Sequence, residues 1–443
     1  MENIQYLMRR KEKTMFTYED AIEAINNIPK FLKAPSVAHT ASVLEAIGRP
    51  DRSLKIIHVA GTNGKGSVCA FLTNMLMAQG FKVGTFTSPH LIKMNERIKI
   101  NDVPVSDEKF LNSYLHVKES CKNLGEMNYF EYLFAMGMDI FSKENLDYVI
   151  LEVGLGGRMD GTNAIEKPEC SVIVSVSFDH VEILGNTIEE IAYAKAGIIK
   201  ENCPVVYDST NPKVAKVVEA EAKKMNAHST PVDGAYCEIE SCVDGKLTFL
   251  IKQGIMAGDK VTIPFIAKYQ AVNTMIALAV MEQLGYLQTK EQRQQVKEGL
   301  LKTKWPGRMQ QVLPGVFIDG AHNEDGIAKF VETVNTVYCN GRKLLLFSAV
   351  KEKDVDLMAR HIGKEADFAK IYLTEIENDR QLGVEILANQ LKKYYKGDVV
   401  VCPGIEHAFD EILSEKKPDD YVFIAGSLYL AGSIMELIEK RGK

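Results

Sequence analysis

The chain has 443 residues, of which 46% are hydrophobic and 25% charged, a composition typical of soluble globular proteins. Single hydrophobic cores stop growing at roughly 250 to 300 residues, so two domains are expected. The formal net charge of −6 argues against a nucleic-acid partner, which would require a basic surface. No stretch approaches the roughly 18 apolar residues of a membrane span, and the N-terminus lacks an apolar leader, so a cytoplasmic protein without membrane contact is expected.

The first part of the chain alternates apolar runs of strand length with segments of helical periodicity. This alternation is typical of a parallel sheet with crossover helices, and therefore of an α/β fold. Each run ends at a polar or Gly-rich cluster, and ligands of such sheets bind beyond the carboxyl ends of the strands. The strand candidates are 55–60, 81–87, 147–153, 170–177 and 204–207.

The pattern changes over residues 234–265, where short alternating runs predict a small antiparallel excursion. The following segment, 269–285, has helical periodicity. A polar stretch, 288–308, then leads into a second series of strands and helices.

The domain boundary is expected near residue 302, which divides the chain into domains 1–302 and 303–443. The second series lacks the dinucleotide-binding fingerprint but otherwise predicts a smaller Rossmann-like α/β domain. Its five strand candidates are 315–320, 343–350, 368–375, 398–404 and 420–427.

The segment "HVAGTNGKGSVCAFL" (58–72) connects a strand candidate to a helix candidate, as a phosphate-binding loop does. It departs from the usual pattern because Val59 takes the place of the first Gly and Gly66 separates Lys65 from Ser67. The glycines would let the backbone approach a triphosphate, and the helix N-terminus would attract its charge. Lys65 could reach between the phosphates, and the Ser67 hydroxyl could bind phosphate or Mg²⁺. A Gly-rich turn without a ligand is the alternative.

Two other strand candidates end in ionisable residues at the same predicted edge. Glu152 is followed by a run of glycines, and it is either a ligand for a hard cation or a buried, salt-bridged carboxylate. Asp179 and His180 follow the next strand. His180 is either a ligand or a structural histidine held by hydrogen bonds. Lys195 lies in an apolar helical stretch where a charge is costly unless paired, so it is snorkelling, salt-bridged or chemically altered.

Eight motifs, which run in order from about residue 18 to 435, resemble those of one enzyme family. The motifs are GTNGKGS, TSPHL, NERI, EVGLGGRMDGTN, DHVEILGNTIEEIAYAKAGIIK, WPGRMQ, DGAHN and GSLYLAG. Together they resemble the folylpolyglutamate synthase and dihydrofolate synthase enzymes of the Mur ligase superfamily. The resemblance implies a large N-terminal P-loop ATPase domain with a mostly parallel sheet and a smaller C-terminal Rossmann-like α/β domain. In this family the phosphate loop has the additional Gly before Ser67.

The resemblance also implies an ATP-dependent ligase that forms an amide bond. A folate carboxylate would be phosphorylated to an acyl phosphate, and the amine of L-glutamate would displace the phosphate. ATP and Mg²⁺ are the implied cofactors, and the substrates are small molecules, namely L-glutamate and a reduced folate or dihydropteroate. A monomer is expected.

The resemblance assigns roles to residues of this chain that match the family's motifs. Lys65, His180 and Lys195 match catalytic residues. Mg²⁺ ligands of the family match Ser88, Glu152 and His180, and Lys195 matches its carbamylated lysine. Nucleotide contacts match Asn63, Gly64, Lys65, Gly66, Ser67, Asn273, Arg308 and Asp319, with His322 close by. Since Arg308 and Asp319 lie beyond the boundary, the ATP site is expected to form when the domains close.

The acceptor is less defined by the motifs. Phe130, Glu131 and Asp160 lie in segments that resemble dihydropteroate contacts of bifunctional bacterial enzymes, and Phe130 is equally consistent with a core aromatic. The segment 30–48 lacks the family's Gly-Leu-x-Arg pattern, and Tyr269 replaces a family His. We therefore expect tetrahydrofolate-type substrates to be extended and dihydropteroate to be used less well or not at all. The alternatives are a related ligase for a murein precursor or another carboxylate, and a P-loop switch that binds ATP without ligation.

Overall fold

The computed structural model describes residues 16–29, 37–351, 353–376 and 381–442. The strands of the first part of the chain are β1 (Ile56–Ala60), β2 (Val83–Phe86), β3 (Ile98–Ile100), β4 (Val103–Pro104), β5 (Tyr148–Glu152), β6 (Cys170–Ile173), β7 (Val205–Asp208) and β8 (Ser229–Val232). A smaller group follows, with β9 (Cys237–Val243), β10 (Lys246–Ile251) and β11 (Lys260–Ile263). All five strand candidates of this part are confirmed; four are shorter than their apolar runs, and β7 has the predicted length but begins one residue later.

The helices of the same part are α1 (Tyr18–Asn26), α2 (Val37–Ala46), α3 (Lys65–Ala78), α4 (Asp107–Ser120), α5 (Tyr129–Ser142), α6 (Val181–Leu184), α7 (Ile188–Ala196), α8 (Pro212–Lys224), α9 (Tyr269–Gln283) and α10 (Lys290–Lys302). Helix α7 begins with a capping box in which Thr187 and Glu190 exchange hydrogen bonds. No helix within the described residues combines the length and the apolar character that crossing a membrane requires.

The first sheet, as far as the described residues define it, has the strand order β4-β3-β2-β5-β1-β6-β7-β8. The six strands β2, β5, β1, β6, β7 and β8 pair in parallel, whereas β3 pairs antiparallel with β2 and with β4 and so forms an antiparallel edge. Every residue of β1 and β5 is buried, because helices cover both faces of the sheet. The carboxyl ends of β1, β5 and β6 are therefore neighbours at one edge.

The antiparallel excursion is confirmed as a sheet in the order β11-β10-β9. Its apolar face joins the core that α3 and α9 share with the first sheet. The polar stretch before the second series contains helix α10, to which the sequence analysis assigned no element. Its capping box joins Thr289 and Gln292, and its buried residues are Val296, Gly299 and Leu300. Such a narrow apolar stripe explains why periodicity did not indicate a helix.

The second sheet contains the strands β12 (Gln310–Leu313), β13 (Val316–Ile318), β14 (Lys343–Phe347), β15 (Lys370–Thr374), β16 (Asp398–Cys402) and β17 (Tyr421–Ala425). Among the described residues its order is β12-β13-β17-β14-β15-β16. The five expected strands are confirmed and pair in parallel, and β12 adds an antiparallel edge. The surrounding helices are α11 (Glu324–Thr336), α12 (Val355–Glu365), α13 (Val384–Lys392), α14 (Ile405–Glu415) and α15 (Leu428–Arg441).

The first sheet and the second sheet contribute to different hydrophobic clusters, although the cluster on the second sheet also includes Ile266 and Ala267, which precede α9. The connection between α10 and β12 links the two parts of the chain. This arrangement is the expected α/β fold with a large N-terminal and a smaller C-terminal part. The division at residue 302 stays a prediction.

Candidate active site

The loop between β1 and α3 wraps around the N-terminus of α3. Gly64 adopts φ 94°, a left-handed conformation that favours glycine, and directly precedes the first helical residue. The loop is tied to the neighbouring strand because the Thr62 N–H donates to the carbonyl of Ser175 at 2.7 Å. The Lys65 ammonium donates to the carbonyls of Gly61 and Thr62, both at 3.2 Å. The first residues of α3, where a helix has backbone N–H groups without an intrahelical partner, border the same cavity as the loop.

The carboxylate of Glu152 lies beside this loop, at the carboxyl end of β5. Its Oε2 accepts the Ser88 N–H at 2.9 Å, and its Oε1 is 4.0 Å from Nζ of Lys65. The side chain is buried, and burial raises the pKa of Glu152 despite the nearby lysine. His180, in the left-handed conformation before α6, borders the same cavity as Ser88 and Glu152, and burial lowers its pKa. The predicted metal ligands are thus brought together.

Lys195 is a buried lysine on α7. Its Nζ donates to the carbonyl of Gly61 at 2.9 Å, the same carbonyl that accepts from Lys65. Burial, and next the charge of Lys65, lower the pKa of Lys195 to about 7. The salt-bridged alternative is not supported, because no carboxylate in the described residues is within ion-pair distance of this ammonium.

A second cavity begins on the other side of the phosphate loop and is lined by both halves of the chain. Asn273 on α9 faces the loop so closely that a Cβ at Gly64 would lie 2.7 Å from its Oδ1. The amide of Asn273 donates to Gln270 at 2.9 Å, and Gln270 donates to the hydroxyl of Ser67 at 3.1 Å. Gln270 was missed as a site residue, although it stands in the segment where Tyr269 departs from the family pattern.

The second half contributes Arg308, Asp319 and His322. Arg308 borders both cavities, and Asp319 lines the one that contains Asn273. The Asp319 carboxylate accepts the N–H groups of Met309 at 2.9 Å and of Ala321 at 2.8 Å, which fixes the backbone on each side of the cavity. Nδ1 of His322 donates to the carbonyl of Gly320 at 2.7 Å, and burial lowers the pKa of His322 to about 4.

The two halves also contact each other directly at the phosphate loop. The amide of Asn63 donates to Asp325 at 2.6 Å and to Asn323 at 3.2 Å, and Asn323 in turn donates to Asp179 at 2.9 Å. Lys353 forms an ion pair with Asp179 in which both side chains are largely buried.

Asn323, Asp325 and Lys353 were missed as site residues by sequence reasoning. Asn323 ends the DGAHN motif and could have been found there. Asp325 and Lys353 lie in no motif that pointed to the loop.

The residues predicted to bind the acceptor all contact other residues of the protein. The Phe130 ring is half-buried and packs over Gly154, where a Cβ would lie 2.6 Å from the ring. The buried Glu131 carboxylate accepts from Thr40 at 2.7 Å and lies 2.8 Å from Nδ1 of His39. Asp160 accepts the N–H of Leu155 at 2.8 Å and organises the loop after β5. Their contact with substrate stays a prediction, and residues 30–36 of the altered segment lie outside the described residues.

Residues 59–281 match the Mur ligase middle domain, and residues 307–428 match the Mur ligase glutamate ligase domain. A dihydrofolate synthase/folylpolyglutamate synthase of Bacillus subtilis is 34% identical over 443 residues, which cover 96% of this chain and 100% of that protein. The chain belongs to the folylpolyglutamate and dihydrofolate synthase family of Mur ligases.

Solved structures of the family have the same fold. E. coli FolC in complex with DHPP and ADP has a TM-score of 0.84 and 25% identity, covering 96% of this chain and 99% of that one. Mycobacterium tuberculosis folylpolyglutamate synthase complexed with ADP has a TM-score of 0.86 and 28% identity, covering 95% and 98%. This Mur ligase is therefore an ATP-binding enzyme that forms amide bonds with small-molecule substrates.

Proposed function

We propose that this Mur ligase adds L-glutamate to the carboxylate of a tetrahydrofolate-type substrate through an acyl phosphate. One observation carries the proposal, namely that the phosphate loop, Glu152 and Lys195 of the first half border one cavity together with Arg308 and His322 of the second. A carboxylate in this cavity would lie between groups suited to transfer a phosphoryl group.

The reaction has two steps. An oxygen of the acceptor carboxylate attacks the γ-phosphorus of ATP, the bond from that phosphorus to the bridging oxygen breaks, and ADP leaves. The neutral amine of L-glutamate then attacks the acyl carbon, phosphate leaves, and the amine loses a proton. Lys65 would stay close to the phosphoryl group during its transfer. Arg308 borders this cavity and also the cavity that contains Asn273, and it would neutralise charge that develops on the phosphates.

The donor set at the loop suits Mg²⁺. Ser88 and Glu152 supply hard oxygen donors, as this cation prefers, and the family assigns His180 as a further ligand. Within the described residues no group of three His, Cys, Asp or Glu side chains is arranged to hold a metal ion. When bound, Mg²⁺ would neutralise phosphate charge and orient the transferring group.

Lys195 is proposed to carry a carbamate. A neutral amine reacts with CO₂ by forming an N–C bond and releasing a proton, and a pKa of about 7 makes the neutral form available near neutral pH. The product is an anion beside Lys65. This assignment gives a reason for placing a lysine in a buried position where an ammonium is costly.

Acceptor choice is tested by comparing kcat/KM for tetrahydrofolate, dihydropteroate and a murein precursor, each with ATP, Mg²⁺ and L-glutamate. We expect the order tetrahydrofolate before dihydropteroate, because segment 30–48 departs from the family pattern. Relatives do not separate the two acceptors, since Lacticaseibacillus casei folylpolyglutamate synthase and Saccharomyces cerevisiae dihydrofolate synthetase are both 29% identical to this chain. A preference for dihydropteroate would reverse the order, and activity on the murein precursor alone would exclude a folate acceptor.

A monomer in the cytoplasm is part of the proposal. Size-exclusion chromatography with light scattering checks the first point, with 49.4 kDa expected for one chain. Twice that mass would contradict it. Fractionation of the native cells checks the location.

A further inference from the structure

Trp305, the one tryptophan of the sequence, lies in the connection between the two halves and packs on the phosphate loop. A Cβ at Gly66 would lie 2.4 Å from Cζ2 and 2.7 Å from Cε2 of its ring. Real Cβ atoms do not approach a ring so closely, so the indole occupies the space that any side chain at position 66 would need. The additional glycine that separates Lys65 from Ser67 thereby has a physical reason.

Several contacts hold the indole in this position. Trp305 packs against the core cluster that contains residues of α3, the helix that begins in the phosphate loop. On another side, the ammonium of Lys99 is 5.3 Å from the ring centroid, a cation–π contact, and Lys99 also pairs with Asp102 at 3.1 Å. The tryptophan is therefore fixed to the first half of the chain.

The backbone just after Trp305 is fixed to the second half. Gly307 and Met309 have φ values of 70° and 46°, and between them stands Arg308, which borders both cavities. The carbonyl of Gly307 accepts the N–H of Gly320 at 2.7 Å, and the Met309 N–H donates to the Asp319 carboxylate at 2.9 Å. Two and four residues after the indole, the chain is thus anchored next to β13.

We propose that Trp305 is a positioning residue that sets the phosphate loop and Arg308 at a fixed separation, so that both engage the same ATP molecule. It acts through Gly66 on one side and through the turn at Arg308 on the other, and it need not touch substrate itself. The proposal rests on the ATP contacts of Arg308 proposed above. It predicts a defect in nucleotide use that is separable from a loss of stability.

The test begins with Trp305→Ala and Trp305→Phe, assayed for KM of ATP, kcat and thermal unfolding. Trp305→Ala should raise the KM of ATP about tenfold, as expected for loss of a charged hydrogen bond to phosphate. Trp305→Phe keeps a ring against Gly66 and over Lys99, and should restore the KM to within about threefold of the native value. Tyr286→Ala is the matched control, because this aromatic packs on the same core cluster and does not line either cavity. It should lower the Tm while leaving the KM of ATP unchanged.

A double-mutant cycle with Gly66→Ala tests the contact itself. In the native background the new methyl group meets the indole, and kcat/KM should fall by about tenfold or more. In the Trp305→Ala background the same substitution should cost less than about threefold, because the clash is absent. Equal losses in the two backgrounds would overturn the proposal, and so would a Trp305→Ala enzyme whose Tm falls while its KM for ATP stays native. If the native enzyme itself showed no saturable dependence on ATP, the proposed ATP site would fail before Trp305 is considered.

Discussion

Replacement of Lys65 by alanine tests the phosphate-loop assignment most directly. The Lys65 ammonium donates to loop carbonyls at 3.2 Å and lies 4.0 Å from Glu152, and its side chain is 17% exposed. These contacts are with neutral groups or are long, so the free energy of unfolding should change by about 1 kcal/mol or less. The variant should therefore fold and purify like the native enzyme.

The effect on catalysis should be far larger. Removing one charge that stabilises a transferring phosphoryl group costs about 10²–10³ in kcat, which corresponds to about 2.7–4 kcal/mol of transition-state stabilisation. Loss of Lys65 also leaves the buried Glu152 without the nearest positive charge. The pKa of Glu152, already raised by burial, should therefore rise further and weaken cation binding.

The assay couples ADP release to absorbance, with saturating tetrahydrofolate and L-glutamate, and measures thermal unfolding on the same samples. Lys297→Ala is the control, since Lys297 is a half-buried lysine paired with Asp259 at 3.1 Å that lines neither cavity. It should keep native kcat. A folded Lys65→Ala enzyme with kcat within about tenfold of native would refute the role of this lysine in phosphoryl transfer.

Three further substitutions test other parts of the structure. Lys195→Ala should lower kcat by about 10² or more, and added acetate should restore part of the activity by replacing the carbamate. Absence of this rescue, together with absence of a carbamate NMR signal from native protein supplied with ¹³CO₂, would count against carbamylation. Lys353→Met removes the cationic partner of the largely buried Asp179 carboxylate and leaves it the hydrogen bond from Asn323, so denaturant unfolding should show a loss of about 3 kcal/mol, and native stability would contradict this. Hydrogen bonding from Lys370 lowers the pKa of Glu415 to about 2, so its stabilising effect is complete above pH 4.5 and is lost as the pH falls towards 2. Because the carboxylate is 31% exposed, Glu415→Gln should cost about 1 kcal/mol at pH 7, and a cost that does not shrink in acid would refute the explanation.

The sequence by itself determined the parallel strands, the strand-to-helix loop that contains Lys65, and the strand end at Glu152, whereas His180 lies seven residues beyond the end of β6, in the connection to α6. These features depend on local patterns, since a strand buried on both faces must be a continuous apolar run and a loop for phosphate must be rich in glycine. The antiparallel sheet was also predicted, because alternation reports a half-buried strand directly. Helix α10 and strand β12 were missed because they bury few residues and leave little pattern to detect.

Tertiary structure decided which residues meet at the site. Asn63 and Asn323 are 260 positions apart, and Asp179 and Lys353 are 174 apart, so no local pattern could pair them. Their contacts exist because the second half packs against the phosphate loop of the first. Trp305 is a further example, because its contact with the phosphate loop depends on tertiary packing. That contact gives a physical reason for Gly66, which the sequence motif by itself does not explain. Local periodicity predicted the helices and strands, whereas the packing of residues distant in sequence formed the site. Burial of a polar group is tolerated only where a hydrogen-bonding partner is present, and here that partner comes from the other half of the chain.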